Sequence, residues 1–102
     1  MMFYLDSYNS TNIQITKKEI PEVLNNFKNS EVNIVQFGGV CSRVYGQEFD
    51  FVITKYQIIL WTNTIDELTI NFDELAVIYK DELGYTLQLQ FDSNIILVIE
   101  KV

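Results

Sequence analysis

Tyr85-Thr86-Leu87-Gln88-Leu89-Gln90-Phe91-Asp92-Ser93-Asn94-Ile95-Ile96-Leu97-Val98-Ile99-Glu100 is the stretch that decides the fold. Tyr85, Leu87, Leu89 and Phe91 fall on one side of an extended backbone. Thr86, Gln88 and Gln90 fall on the other, the period of two expected of a half-buried strand. Asp92-Ser93-Asn94 supplies turn residues, which cap their own backbone and tolerate positive φ. Ile95 to Ile99 is then apolar without interruption, as in a strand covered on both faces. The reading is a β-hairpin whose second strand lies inside a sheet.

Upstream segments read as its companions. Ile58-Ile59-Leu60-Trp61 is a second run apolar on both faces. Before it, Glu48 to Thr54 alternates, with Phe49, Phe51 and Ile53 inward. Val32 to Phe37 is a strand, and Gly38-Gly39 signals a tight turn into Val40 to Tyr45. Phe3-Tyr4-Leu5 and Ile13 to Thr16 are candidates for short strands. The one helix is expected near residues 21–29. Ile20, Val23, Leu24 and Phe27 are spaced to form one apolar stripe. Pro21 belongs in its first turn, with Thr16 to Ile20 as an approach segment.

Residues 64–83 admit two readings. They hold Asp-Glu-Leu three times, at 66–68, 73–75 and 81–83. Ile65, Leu68, Phe72, Leu75 and Tyr79 would line one side of a helix starting at Thr64 and stopping at Gly84. That helix would place Asp81 and Glu82 at the negative end of its dipole. Thr69-Ile70-Asn71-Phe72 and Val77-Ile78-Tyr79 are also poor helix formers. Two strands, about 67–72 and 76–80 with acidic corners, are preferred. The predicted fold is therefore α+β: a mostly antiparallel meander of seven or eight strands, curled into a barrel or a two-layer sandwich, with one short helix. The 102 residues form one domain, 1–102.

Composition narrows the function. The chain contains no histidine, which removes Ser-His and Cys-His nucleophile pairs, and one cysteine, which with no histidine makes no ordinary zinc site. No glycine-rich phosphate loop and no EF-hand spacing is present, so no catalytic residue, metal or cofactor is assigned. The single thiol, Cys41, excludes an intramolecular disulfide and fits a reducing compartment. No basic leader and no apolar run of membrane-spanning length occurs, and a cytoplasmic protein is expected. A net charge of −7 disfavours direct binding to nucleic acid or an anionic membrane and favours a basic protein partner.

The candidate partner-binding residues are Asp66, Glu67, Asp81 and Glu82, with Trp61 and Tyr79 as aromatic anchors. If the strands at 67–72 and 76–80 pair as a hairpin, the first and third acid pairs share one rim of the sheet. Asp73-Glu74 then lies at the other end. The plainer reading of all three pairs is solvated corners that keep a sheet edge from aggregating. Glu48 and Asp50 form a possible acid–base pair, with an outward polar Asp50 as the plainer reading. Cys41 reads as a small buried thiol, with Arg43 paired to a carboxylate on a neighbouring strand.

The function these features favour is a small acidic protein-binding module that inhibits or neutralises a partner macromolecule. An immunity protein that blocks a toxin and a phage-type inhibitor of a host nuclease are examples. The alternatives are a self-assembling structural or accessory protein, such as a homodimer, and a small-molecule pocket inside a curled sheet. No motif is specific enough to assign a family.

Overall fold

A computed structural model describes residues 13–39 and 41–102. The candidate strand Phe3-Tyr4-Leu5 lies outside the described residues. Among the described residues nine strands form two antiparallel sheets. The larger has the order β1-β7-β8-β9-β2-β3, and the smaller β4-β5-β6. In chain order the strands are β1 (Ile13–Ile15), β2 (Val32–Phe37), β3 (Ser42–Gly46), β4 (Asp50–Ile53), β5 (Gln57–Trp61), β6 (Leu68–Asn71), β7 (Leu75–Lys80), β8 (Thr86–Phe91) and β9 (Ile96–Lys101). The helix α1 covers Ile20–Asn25. The architecture is thus α+β with two sheets rather than a closed barrel.

The 85–100 stretch forms the expected hairpin, but β8 is not half-buried as its alternation predicts: Gln88 is buried along with Leu87 and Leu89, and Tyr85 stands exposed ahead of the strand. β8 pairs with β9 through Leu87↔Ile99, Gln88↔Val98 and Leu89↔Leu97. Asn94 takes φ 67 in the connecting turn, the left-handed conformation that asparagine tolerates. β9 has neighbours on both sides, β8 and β2. Leu97, Val98 and Ile99 are all buried, which accounts for the continuous apolar run. The β2–β3 hairpin also forms at the Gly-Gly turn, where Gly38 and Gly39 have φ of 93° and 73°.

The two sheets and α1 enclose one core. Ile20, Val23, Leu24 and Phe27 from the helical segment meet Ile34, Leu87, Leu89, Leu97 and Ile99 of the large sheet. Phe49, Ile58, Leu60 and Ile70 come from the small sheet or its approach. The helix is shorter than the predicted 21–29. After Asn25 the chain continues in three-residue turns, with Asn26 N–H donating to the Val23 carbonyl and Phe27 N–H to the Leu24 carbonyl. Asn29 then enters the left-handed region at φ 63 and ends the segment. Pro21 sits in the first helical turn, and Lys17–Glu19 forms a 3-10 approach to it. So short a helix draws its stability from its buried stripe.

Residues 64–83 form two strands, β6 and β7, but these do not pair as a hairpin. β6 pairs with β5, and β7 pairs with β8 and β1. A 3-10 turn, Phe72–Glu74, carries the chain from the small sheet to the large one. Leu75 immediately after it is buried, so the apolar sequence drives the change of layer. At the other junction, Asn63 N–H donates to the Gln47 carbonyl (3.0 Å) and Thr64 Oγ1 to the Tyr45 carbonyl (2.9 Å). These bonds fasten the end of β3 to the loop after β5.

Candidate functional site

β6 carries Leu68-Thr69-Ile70-Asn71 along the edge of the small sheet. Ile70 is buried and Leu68 half-buried, both against the core, while Thr69 faces outward. Phe72 N–H donates to the Tyr56 carbonyl at 2.9 Å, which fixes the phase of the ladder. Ile58↔Ile70 and Leu60↔Leu68 are then the hydrogen-bonded pairs, because such pairs alternate. The N–H and C=O of Thr69 therefore point away from β5. Among the described residues no strand lies on that side of β6.

Both ends of this edge are acidic. Asp66 and Glu67 precede β6 and are exposed. Asp73 and Glu74, in the 3-10 turn after it, are exposed as well. The turn is held by the main chain, since Asp92 N–H donates to the Glu74 carbonyl at 3.0 Å. Glu67 accepts a hydrogen bond from Thr69 Oγ1 at 3.4 Å.

Beside the edge lies an open cleft of about 170 Å³ between β6 and the β8–β9 hairpin. Leu68, Ile70, Phe91, Ile95 and Leu97 give it a mainly apolar wall, and Gln36, Thr69, Glu74 and Ser93 complete the lining. A larger cleft of about 680 Å³ begins at Asn71 and runs past Tyr56 to Lys17 and Lys55. Tyr56 is exposed there, with Lys55 Nζ 5.4 Å from its ring centroid. Glu74 borders both clefts.

The other predicted residues lie elsewhere. Without a β6–β7 hairpin, no shared sheet rim gathers Asp66, Glu67, Asp81 and Glu82. Among the described residues no three carboxylates lie close enough together to hold a metal ion. Asp81 turns inward to its own loop, its Oδ1 accepting from Tyr85 N–H (2.7 Å) and Thr86 N–H (3.1 Å). Glu82 is exposed. Trp61 closes β5 on the side opposite Ile58 and Leu60, so it faces outward from the small sheet. Tyr79 pairs with Gln88, on the side of the large sheet opposite Ile78 and Leu87. The two aromatic rings thus lie on different sheets, Trp61 on the outer face of the small one and Tyr79, half-buried, on the face of the large one that also carries the buried Gln88 and Val98.

Glu48 is exposed in a left-handed turn at φ 56. Asp50 is engaged locally: its Oδ1 accepts from Phe51 N–H at 2.8 Å and lies 4.0 Å from Lys28 Nζ. Cys41 is exposed, contrary to the buried thiol expected. It leads into β3, the edge strand of the large sheet among the described residues, whose residues up to Tyr45 are all exposed. Arg43 does meet a carboxylate, Glu100 at 3.5 Å, which lies across β2 on β9.

One cluster escaped the sequence reading. Tyr45 OH donates to Glu31 Oε1, and Gln47 Nε2 donates to the same oxygen at 3.3 Å. The two bonds, Tyr45 first, hold the Glu31 carboxyl below its ordinary pKa, outweighing the opposing effect of burial. A depressed carboxyl contributes stability above its ordinary pKa and loses it as pH falls through the lowered value. Tyr45→Phe is expected to return the Glu31 pKa toward the ordinary range. Carboxyl ¹³C chemical shifts followed through an acid titration read this directly, and an unmoved midpoint would refute the assignment.

The separations explain why these features were illegible. Glu31, Tyr45 and Gln47 meet through β2–β3 pairing, and the small cleft draws on residues between Gln36 and Leu97. Neither leaves a local pattern. No protein family, curated protein or solved structure matches the chain. No helix among the described residues is long and apolar enough to cross a membrane.

Proposed function

We propose that this chain is a small acidic protein-binding module, cytoplasmic, that inhibits or neutralises a basic partner macromolecule. A toxin held by its immunity protein, or a nuclease held by an inhibitor, is the kind of pair meant. One observation carries the reading: exposed carboxylate pairs Asp66-Glu67 and Asp73-Glu74 stand at the two ends of one sheet edge, beside an apolar cleft. Acidic groups around an apolar centre steer a basic partner, while the apolar contact supplies much of the affinity. The whole chain's charge of −7 acts in the same direction at longer range.

On this reading the proposed binding residues change. Asp73 and Glu74 replace Asp81, whose carboxylate is committed to its own turn, and Glu82, which follows it in that turn after β7 of the other sheet. The test follows from that choice. Tagged protein is used to isolate partners from its native cells, with elution by a salt gradient. The variant Asp66→Asn/Glu67→Gln/Asp73→Asn/Glu74→Gln is then compared on the purified partner. The expected result is a basic companion bound stoichiometrically, with weaker binding and a shallower salt dependence in the variant. Unchanged affinity and unchanged salt dependence would refute the proposal.

A further inference from the structure

We infer that the edge of β6 receives an extended segment of the partner as an added strand, with one aliphatic or aromatic side chain seated in the small cleft. This rests on the protein-binding reading above and specifies its site. The Thr69 N–H and C=O point away from β5, and no described strand takes them up. A row of unpaired main-chain groups is a template for another strand. Along a strand, side chains alternate between faces, so an added strand directs every second residue inward. The inward side here is the cleft of about 170 Å³ walled by Leu68, Ile70, Phe91, Ile95 and Leu97. An enclosed apolar cavity of about 150 Å³ holds a molecule of benzene, so this open cleft has room for one side chain of that size.

Charge selects the occupant. Asp66 and Glu67 stand at one end of the edge, Asp73 and Glu74 at the other. Two copies of this chain pairing antiparallel through β6 would set acid pairs against acid pairs, which disfavours a homodimer there. An extended segment with Lys or Arg flanking an apolar residue satisfies both the ends and the centre. It needs only about four to six residues, since β6 itself has four.

The probe is a fluorescein-labelled heptapeptide alternating lysine with valine and leucine. Its control is the same peptide N-methylated at alternate residues, which keeps charge and side chains but cannot pair as a strand. Thr69→Pro removes the outward N–H without removing a bond to β5, a position where an edge strand tolerates proline. Ser93→Trp places bulk at the cleft from an exposed turn residue. Circular dichroism and thermal melting establish that both variants are folded.

The expected result is saturable binding by the native protein, weakened about tenfold or more by Thr69→Pro, by Ser93→Trp and by N-methylation. Should either variant misfold, the N-methylated peptide on native protein still decides. Equal binding of the two peptides, or no saturable binding at all, overturns strand addition. Binding that responds to salt alone, and not to Thr69→Pro in a folded variant, also overturns it. In each of those cases the four-carboxylate variant, tested on the purified partner, decides the broader reading separately.

Discussion

Phe49→Ala is expected to destabilise the protein by about 3–5 kcal/mol, the usual cost of emptying a buried phenylalanine site. Phe49 is fully buried immediately before β4. Its ring packs edge-on to Phe27 with centroids 6.0 Å apart and planes at 71°, and lies 6.4 Å from Phe51. It therefore joins the helical segment to the small sheet through side chains. Its main chain joins the same parts, with Asn29 N–H donating to the Phe49 carbonyl at 2.7 Å and Phe49 N–H to the Ser30 carbonyl at 3.2 Å. Alanine keeps those two bonds and removes only the ring, so the measured loss reports packing. Against a total stability of about 5–15 kcal/mol, it is a large fraction. Urea unfolding followed by circular dichroism measures it. A double-mutant cycle with Phe27→Ala should show a coupling of about 0.5–1.5 kcal/mol. A loss below about 1 kcal/mol would mean that the ring is not enclosed by the core.

Gly46→Ala is the second large effect, about 1–3 kcal/mol by overpacking. Gly46 ends β3 and is buried. A Cβ there would lie 2.3 Å from Thr62 Oγ1, 2.6 Å from Thr62 Cβ and 2.8 Å from Thr62 Cγ2. Thr62 cannot rotate away cheaply. Its Oγ1 accepts from Thr64 N–H (3.2 Å) and Ile65 N–H (3.1 Å), and its branched Cβ limits its rotamers. Relief must come instead from moving the loop that fastens the two sheets. Thr62→Ala in the Gly46→Ala background removes two of the three close atoms, so the combined loss should be smaller than the sum of the single losses. Additive losses in thermal or urea melts would show that Gly46 is not in contact with Thr62.

What the sequence made legible was local. The alternation in 86–91, the asparagine turn and the apolar run of β9 each depend on residues within a few positions of one another. So do the Gly38-Gly39 turn and the poor helix propensity of 69–72 and 77–79, which identified strands correctly. Strand partners beyond the β2–β3 and β8–β9 hairpins were not legible, because β6 meets β5 and not β7 only once Leu75 is drawn into the other layer. The exposure of Cys41 follows from β3 ending up at an edge, which no property of Ser42 to Tyr45 dictates. The acid pairs were visible at once. Which of them face a partner depends on the Asp81 carboxylate closing its own turn and on an edge assembled from distant segments.

The pairing of β2 with β9 has a kinetic consequence. Val35 and Val98 sit side by side although 63 positions separate them. The β2–β3 and β8–β9 hairpins each close short loops and can form within microseconds of collapse. Joining them into one sheet must first restrict the whole intervening chain, and that entropy is lost before any long-range contact repays it. The slow step of folding is then expected to be the meeting of two preformed hairpins, on the millisecond-to-second scale typical of β-rich topologies. Until they meet, β2 and β9 each expose an apolar edge, and in that interval the growing sheet is open to strands from other molecules.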